Sequence, residues 1–344
     1  MTRVLVVRLD SLGDVVLCGP AVRAIAAASD EVWMLCSEQG APAARLLPGV
    51  DGVIIWQCPW IVADSVPVGE EDIAGVVKRL AGARFDAAVI FTSFHQSPLP
   101  TALLLRLAGI RRIAGASVDH PGALLDVRLV PGETLPEQIP EPERALAIAG
   151  AAGFDLPIGD DGTLALSHVG EPPAGLHGAV VVHPGASAPS RRWPAERFAR
   201  AVELLHERGW QVAVTGSQAE RELTRAVAGR FGVDLGGRLD LPALAALIAG
   251  SRVLVCGNTG PAHLAAAVGT PVVSLFSPVV PAAKWAPYRV PHILLGDQHA
   301  PCRGTRARQC PVPGHPCLTE VAADVVVAAC EQLMRVGAAE EAPV

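Results

Sequence analysis

Short apolar runs recur along the chain and alternate with longer stretches in which apolar residues return every three or four positions. An unbroken run of this kind is typical of a strand buried on both faces of a parallel sheet, whereas the longer spacing is typical of a helix. In the first half, the pattern predicts strands at residues 4–9, 32–36, 53–56, 87–92, 112–115 and 127–130. It also predicts helices at residues 14–28, 72–81, 100–108 and 142–152.

The alternation stops over residues 153–178, a stretch rich in Gly and Pro that we interpret as a linker between domains. In the second half, the pattern predicts strands at residues 179–183, 211–215, 253–256 and 272–276. It predicts helices at residues 194–208, 219–229, 241–249, 260–268 and 322–334. Strand–helix alternation in both halves predicts an α/β chain with two Rossmann-like, doubly wound domains at residues 1–165 and 166–335.

Composition narrows the class of protein. The chain has 344 residues, half of them hydrophobic and only 18% charged, with a net charge of −6. These values favour two well-buried cores, and the absence of a basic cluster argues against a nucleic-acid partner. No apolar run reaches the roughly 18 residues of a membrane-spanning helix, and no signal-peptide pattern opens the sequence. We therefore expect a cytoplasmic protein without a transmembrane segment, with a peripheral membrane contact left open.

The loop after the first predicted strand reads R-L-D-S-L-G-D and ends on Gly13 and Asp14. In doubly wound sheets, ligands bind beyond the carboxyl ends of the strands, so this loop is a candidate for chemistry. Asp14 is placed to act as a general base that takes a proton from a hydroxyl. The alternative is that its carboxylate only stabilises the amino end of the next helix. The loop lacks the GxGxxG spacing of a dinucleotide-binding turn.

A second loop reads H-P-G-A-S-A-P-S-R-R-W-P over residues 183–194. Its small residues let backbone N–H groups approach an anion, the hydroxyls of Ser187 and Ser190 add donors, and Arg191 adds positive charge. A diphosphate fits such a loop. The alternative is a surface turn whose arginines are solvated.

A third loop, C-G-N-T-G-P-A-H at residues 256–263, leads from a buried strand into an Ala-rich helix. Thr259 is a plausible N-cap, and Gly260 lacks a Cβ where a ligand would approach. Asn258 can donate or accept a hydrogen bond, and His263 lies one turn into the helix. A helix amino end attracts phosphate, although a lone histidine at such a place is more often structural.

The three loops together resemble glycosyltransferase family 9, the heptosyltransferase family. The matching segments are V-L-V-V-R-L-D-S-L-G-D-V-V at residues 4–16, H-P-G-A-S-A-P-S-R-R-W-P at residues 183–194 and G-N-T-G-P-A-H-L-A-A-A at residues 257–267. The resemblance implies the GT-B architecture, in which two Rossmann-like domains face a central cleft. The first domain would bind the acceptor and the second the donor, with the last helix returning toward the first domain.

The resemblance also implies the reaction, which is an inverting, metal-independent transfer of a sugar from a nucleotide diphosphate-sugar without a cofactor. ADP-heptose is the default donor, lipopolysaccharide biosynthesis is the default setting, and the acceptor is a saccharide, a glycolipid or a small natural product. Asp14 falls at the position of the family's general base. Arg191 falls where many members carry a lysine that contacts the donor phosphates, and it is the second catalytic candidate.

The remaining candidates are assigned by position in the family's pattern. On the donor side these are Ser187, Ser190, Glu220 or Glu222 for the ribose, Leu241 for the base, and Asn258, Thr259, Gly260 and His263. On the acceptor side they are Gly13, Asp14, Phe94 and His95, with Gln96 and His120 as further possibilities. Asn258 departs from the family, which usually has Asp at this point, and the exchange removes a negative charge beside the donor.

Three cysteines, Cys302, Cys310 and Cys317, stand in a Pro- and Gly-rich loop with His315 close by. These are zinc-ligand types, but the spacing is not that of paired CxxC ligands, so a reduced and packed loop is the favoured interpretation. Two other functions stay open for the chain. One is a Rossmann-type NAD oxidoreductase or sugar-nucleotide epimerase, and the other is a non-catalytic nucleotide-binding protein.

Overall fold

The computed structural model describes residues 2–61, 65 and 67–340, and it divides the chain into two compact units. The first unit is Met1–Ser167 and the second is His168–Val344. Each unit contains one six-stranded sheet in which all strands are parallel. The predicted α/β class and the two doubly wound sheets are therefore confirmed.

Among its described residues, the first unit has six strands and six helices. In chain order these are β1 (Arg3–Arg8), α1 (Leu12–Leu17), α2 (Gly19–Ala27), β2 (Glu31–Cys36), α3 (Ala41–Ala44), β3 (Gly52–Ile55), α4 (Glu70–Ala83), β4 (Ala87–Ile90), α5 (Leu99–Leu107), β5 (Arg112–Ala116), β6 (Val127–Leu129) and α6 (Glu141–Ala151). The strand order in the sheet is β3-β2-β1-β4-β5-β6.

The predicted helix at residues 14–28 is wrong as one element, because it is divided into α1 and α2 at Cys18. Pro20 lies in the first turn of α2. Proline has no N–H to continue the hydrogen-bond ladder of a preceding helix, and it is well tolerated at the start of a new one. The short helix α3 was not predicted, since four residues carry no helical periodicity.

The second unit is also built from strands and helices, with six strands and seven helices in the part up to residue 340. In chain order these are β7 (Val180–His183), α7 (Ala195–Glu207), β8 (Val212–Val214), α8 (Arg221–Ala228), β9 (Val233–Asp234), α9 (Leu241–Ala249), β10 (Val253–Gly257), α10 (Gly260–Ala267), β11 (Val272–Leu275), α11 (Ala282–Trp285), β12 (His292–Leu295), α12 (Pro316–Thr319) and α13 (Ala323–Glu340). The strand order is β12-β11-β10-β7-β8-β9. The edge strands β9 and β12 were missed because they are short and partly exposed.

The strand order of each sheet reverses direction at one place. In the first sheet the reversal lies between β1 and β4, and in the second it lies between β7 and β10. The loops after strands on either side of such a reversal diverge and leave a crevice in which ligands bind. The three loops singled out from the sequence follow β1, β7 and β10, so all three lie at these reversal points.

Buried apolar strands form the core of each sheet and carry the loops that border the crevices. Residues Val4 to Val7 of β1 are fully buried, as are Val180 and Val181 of β7, and helices cover both faces of each sheet. In the second unit, α13 packs against α7 and against β10, β11 and β12. Within the described ranges, no helix combines the length and hydropathy needed to cross a membrane.

Candidate active site

A buried arginine organises the crevice of the first sheet. Arg8 is the last residue of β1, and its side chain is 3% exposed. It meets Asp10 in the loop that follows, Asp14 in the first turn of α1 and Glu141 at the start of α6. Three carboxylates from three segments therefore share one guanidinium.

The contacts of Arg8 hold both aspartates at fixed positions. Its Nε lies 2.9 Å from Asp10 Oδ2, its Nη1 lies 3.5 Å from Glu141 Oε2, and its Nη2 donates to Asp14 Oδ1 at 3.0 Å. The same Nη2 lies 2.8 Å from Ser93 Oγ in the loop after β4. The network thus spans the β1/β4 reversal, where a crevice is expected.

Burial and charge act against each other in this cluster. Burial works against the charged form of Arg8, but Asp10, Asp14 and Glu141 outweigh it and raise the arginine pKa. For Asp10, burial raises the pKa, and the Asp14 charge adds to this effect, whereas Arg8 and a hydrogen bond from Gln96 oppose it. The net result is a pKa for Asp10 above its ordinary value, so its proton is held more tightly than in water.

Asp14 is the more accessible of the two aspartates. Its side chain is 18% exposed against 13% for Asp10, and its Oδ2 accepts a hydrogen bond of 2.8 Å from the hydroxyl of Ser11. Ser11 is itself exposed, while Gly13 is buried in the first turn of α1. The predicted base is thus a part-exposed carboxylate at the amino end of a helix, beside a hydroxyl that reaches it from the solvent side.

A cavity of about 260 Å³ opens at the same end of the first sheet, between the loops after β4 and β5. Its lining includes the two predicted acceptor-side residues Phe94 and His95 together with Gln96, Ser97, Ala116, Ser117, Val118, Asp119, Pro131 and Arg144. Gln96 also reaches the charged cluster, since its amide nitrogen donates to Asp10 Oδ1 at 2.5 Å. His120 is not among the residues that line this cavity.

The sequence analysis did not single out five polar residues of this site, which are Arg8, Asp10, Ser93, Glu141 and Arg144. Arg144 is 3% exposed, and its Nε has no hydrogen-bond partner among the described residues. Burial lowers the pKa of Arg144, although the neighbouring Glu141 opposes the shift. Only Arg8 and Asp10 could have been noticed from the sequence, because these charged residues directly follow the apolar residues of β1.

The second crevice brings the two predicted donor loops together. His183 of β7 pairs with Cys256 of β10, so the loops that follow these strands leave the sheet side by side. Gly257 lies so close to the other loop that a Cβ on it would be 2.8 Å from the carbonyl oxygen of Arg191. Glycine is therefore required at residue 257 by the contact between the loops, which holds the backbone of Arg191 against the end of β10.

The loop after β7 presents two of its predicted donor ligands and buries a third. Ser187 is exposed and Arg191 is partly exposed. Ser190 is fully buried, its hydroxyl donates to the Ala307 carbonyl at 2.5 Å, and its N–H donates to the Arg308 carbonyl at 3.0 Å. These bonds tie the loop to the cysteine-bearing segment, so the direct donor contact assigned to Ser190 stays a prediction.

The loop after β10 leads into α10, which begins at Gly260 with Thr259 as its N-cap residue. The Thr259 side chain makes no capping hydrogen bond, and His263 is buried within the helix. Asn258 is 6% exposed, and neither its amide oxygen nor its amide nitrogen has a hydrogen-bond partner among the described residues. Buried polar atoms normally find partners, so this amide has the character of a group that a ligand satisfies.

Glu220, rather than Glu222, lies against the donor loop. A Cβ on Gly185 would collide with the Glu220 carboxylate, whose Oε2 accepts 2.8 Å bonds from both the N–H and the hydroxyl of Ser217. Burial opposes its ionisation, but these bonds and the nearby His183 and Arg192 lower the pKa of Glu220.

Glu222 is exposed in the first turn of α8, and Leu241 is the first residue of α9. The structure thus gives Glu220 a capping role at residues 217–220 and leaves its predicted contact with a ribose untested.

The cysteine loop is compact. Cys302 and Cys317 are buried, Cys310 is partly exposed, and all eight cysteines are free thiols. Burial raises the pKa of Cys302 and raises that of Cys317 to about 12. Over the part of the chain that the structure describes, no group of three or more His, Cys, Asp or Glu side chains has an arrangement able to hold a metal ion.

Comparison with known proteins gives the same assignment as the three loops. The model of glycosyltransferase family 9 (heptosyltransferase) matches residues 74–315. The lipopolysaccharide heptosyltransferase 1 of Pseudomonas aeruginosa is 29% identical over 336 residues, which covers 87% of this chain and 86% of that protein.

Two solved structures share the fold over nearly the whole chain. The E. coli ADP-heptose lps heptosyltransferase II has a TM-score of 0.74 at 20% identity and covers 98% of this chain and 100% of that one. The E. coli heptosyltransferase WaaC with ADP-2-deoxy-2-fluoro heptose has a TM-score of 0.72 at 21% identity and covers 96% and 99%. The oxidoreductase, epimerase and non-catalytic alternatives are therefore set aside. The chain belongs to glycosyltransferase family 9, the heptosyltransferase family, and is a glycosyltransferase of the GT-B fold.

Proposed function

We propose that this enzyme transfers heptose from ADP-heptose to a hydroxyl of a saccharide or glycolipid acceptor in lipopolysaccharide biosynthesis, with inversion and without a metal. The relatives named above act in lipopolysaccharide synthesis by their names, and one of the similar structures contains an ADP-heptose analogue. The observation that carries the proposal is the Asp14 carboxylate, part-exposed at the β1/β4 reversal and held by Arg8.

Asp14 acts as the general base in this proposal. Its Oδ2 already accepts a 2.8 Å hydrogen bond from the exposed Ser11 hydroxyl, which is the geometry an acceptor hydroxyl needs. The acceptor proton moves to Asp14, the acceptor oxygen bonds to the anomeric carbon, and the bond from that carbon to the diphosphate breaks. Attack from the face opposite the leaving ADP inverts the configuration.

The loops after β7 and β10 hold the donor diphosphate. Arg191 supplies a fixed positive charge, Ser187 an accessible hydroxyl, and the amino end of α10 the partial positive charge of its free N–H groups. These groups stabilise the negative charge that develops on the departing ADP. Arg191 keeps the charge of the lysine found in many relatives and offers two N–H groups to one phosphate.

The remaining assignments place the rest of the substrates. Residues 1–165 bind the acceptor in the cavity lined by Phe94 and His95, and residues 166–335 bind the donor. Glu220 lies next to Gly185 and is the acid proposed for the ribose, and Leu241 is proposed for the base. Transfer requires the Asp14 segment and the donor loops to act on one pair of substrates, which is part of the proposal.

A donor comparison tests the proposal. Purified enzyme is supplied with ADP-heptose, ADP-glucose or UDP-glucose and with a deacylated lipopolysaccharide core oligosaccharide that lacks its terminal heptose. We expect ADP release and a heptosylated product with ADP-heptose, unchanged by EDTA, and an inverted anomeric configuration by NMR. Faster turnover of another donor refutes ADP-heptose as the substrate. A product of retained configuration refutes inversion, and loss of activity with EDTA refutes metal independence.

A further inference from the structure

Arg144 is a buried cation in the wall of the cavity between the loops after β4 and β5. It lies one turn into α6, and only 3% of its surface is exposed. Its Nε has no hydrogen-bond partner among the described residues. An arginine stays protonated at neutral pH, and a buried charge is costly unless an opposite charge and hydrogen bonds compensate it. This guanidinium therefore has the character of a group that binds an anion.

The acids around Arg144 compensate its charge only in part. Burial has the largest effect and lowers the pKa of Arg144, whereas Glu141 opposes the shift, with a smaller contribution from Glu137. The Glu141 carboxylate is already engaged, because its Oε2 lies 3.5 Å from Nη1 of Arg8. Arg8 is positive as well and so adds to the lowering of the Arg144 pKa. An anionic ligand would supply the charge that these acids do not.

The other polar groups of the cavity wall leave this place to the arginine. The amide nitrogen of Gln96 donates to Asp10, and the hydroxyl of Ser117 donates to a backbone carbonyl at 3.1 Å. Asp119 lines the cavity too, but it is exposed, so water and salt screen its negative charge. The cavity of about 260 Å³ thus combines a buried cation with neutral polar groups that are already in use.

We propose that Arg144 binds an anionic substituent of the acceptor, a carboxylate or a phosphate, and so selects acidic saccharides. The inference rests on the proposed use of this cavity for the acceptor. A guanidinium can donate two parallel hydrogen bonds to one carboxylate or phosphate, which fixes the orientation of the bound group as well as its charge.

A chain of contacts links this anion site to the proposed base. Glu141 lies three residues before Arg144 on α6 and contacts Arg8. Arg8 in turn donates to Asp14 Oδ1 at 3.0 Å. An acceptor that is held by its anionic group at Arg144 is thus anchored beside the cluster that contains the base, and a hydroxyl of the same sugar can be directed toward Asp14.

Acceptors with and without the negative charge test the inference. The core oligosaccharide of the donor comparison is used in three forms, namely untreated, with its carboxyl groups reduced to alcohols, and with its phosphates removed. Isothermal titration calorimetry without donor gives the dissociation constants, and transfer from ADP-heptose gives KM and kcat. We expect the wild type to bind one treated form about tenfold to a hundredfold more weakly than the untreated form, as for loss of a charged hydrogen-bond partner. The form that is weakened identifies the group as a carboxylate or a phosphate.

Arg144→Met removes the proposed partner of that group. The variant should bind the untreated acceptor about tenfold to a hundredfold more weakly than the wild type, and it should no longer distinguish the untreated from the treated form. KM for the acceptor should rise by the same factor with a smaller change in kcat, because the contact is already made in the ground state. The dissociation constant for ADP should stay within about twofold of the wild type, as expected for a residue outside the donor loops.

Two further variants complete the design. Arg144→Lys keeps the charge but loses the fork of N–H groups, so it should weaken acceptor binding by about threefold to tenfold, and it serves if the methionine variant does not fold. Lys78→Met removes an exposed cation from α4 and should leave all three acceptors bound as by the wild type.

Equal binding of the three acceptors by the wild type overturns the inference. It is also overturned if Arg144→Met keeps the wild-type preference for the charged acceptor, or if Arg144→Lys stands in for it and binds like the wild type. A fall in ADP affinity as large as the fall in acceptor affinity assigns Arg144 a structural role and overturns it too. Absence of transfer from ADP-heptose to any acceptor refutes the proposed function instead, and the binding measurements still decide the role of Arg144.

Discussion

The contact between the two donor loops gives the sharpest structural prediction. Gly257 ends β10, and a Cβ at this residue would lie 2.8 Å from the Arg191 carbonyl oxygen. Ordinary contacts of a Cβ begin at 3.4 Å, so Gly257→Ala requires a separation of the loops by about 0.6 Å. The neighbour is backbone on a short helical turn, Pro189–Arg191, and it cannot rotate away as a side chain can.

Overpacking of this kind costs about 1 to 3 kcal/mol. We expect the free energy of unfolding of Gly257→Ala to fall by that amount in urea titrations. On the proposed binding of the diphosphate by Arg191 and the amino end of α10, separating the loops should raise the dissociation constant for ADP about tenfold, which corresponds to about 1.4 kcal/mol. Isothermal titration calorimetry measures the second quantity.

The matched control is Gly170→Ala in the same unit. A Cβ at Gly170 meets nothing within 4 Å and its φ is not positive, so alanine should leave both stability and ADP affinity close to those of the wild type. Gly257→Ala with wild-type ADP affinity would show that the loop contact does not shape the donor site. A loss of affinity in both variants would make the effect non-specific.

Three further predictions concern stability, thiol reactivity and the ribose. Asp160 accepts bonds of 2.6 and 2.8 Å from Arg23, so Asp160→Asn should lower stability by about 1.5 to 3 kcal/mol at pH 7. Because the Arg23 bonds lower the pKa of Asp160 from 3.8, this contribution is fully present well above pH 3.8 and is lost as the pH falls through the lowered pKa. Urea titrations that show no decrease in the difference between the two proteins as the pH falls below 3.8 contradict it. Ellman's reagent should label one thiol quickly in native protein, that of Cys310, and fast labelling of Cys310→Ser would contradict the burial of the others. Glu220→Gln keeps an oxygen for Ser217 and should leave the melting temperature nearly unchanged while weakening ADP binding; unchanged ADP affinity removes Glu220 from the donor site.

The sequence predicted the central strands and the loops at the two reversal points because long apolar runs and small-residue turns leave strong local patterns. It missed β9, with two residues, and β12, since short edge strands are stabilised by pairing with their neighbours rather than by their own composition. It merged α1 and α2 because the apolar periodicity continues across Cys18, while Pro20 separates the helices by removing a backbone donor.

Asp14 and Arg191 could be singled out from the sequence because one residue type implied one chemistry at each place, and their catalytic roles stay predictions. The shared guanidinium of Arg8 was not, because its partners Asp10, Ser93 and Glu141 are brought together by strand order rather than by spacing along the chain. For Ser190, the sequence pattern favoured a contact that the structure does not show. Its place in a Ser- and Arg-containing loop favoured a phosphate ligand, but its hydroxyl is engaged with Ala307, more than a hundred residues away.

Single-turnover transfer by Asp14→Asn tests the assignment of Asp14 as the general base. Enzyme in excess is mixed with ADP-heptose and the core oligosaccharide, and heptosylated product is followed by quenched flow while ADP affinity is determined in parallel. We expect a rate that is lower by a factor of about 10² to 10⁴ and an ADP dissociation constant within about twofold of the wild type, because the base is lost and the donor loops are untouched. A variant that transfers heptose at the wild-type rate, or one whose ADP affinity collapses along with the rate, contradicts it.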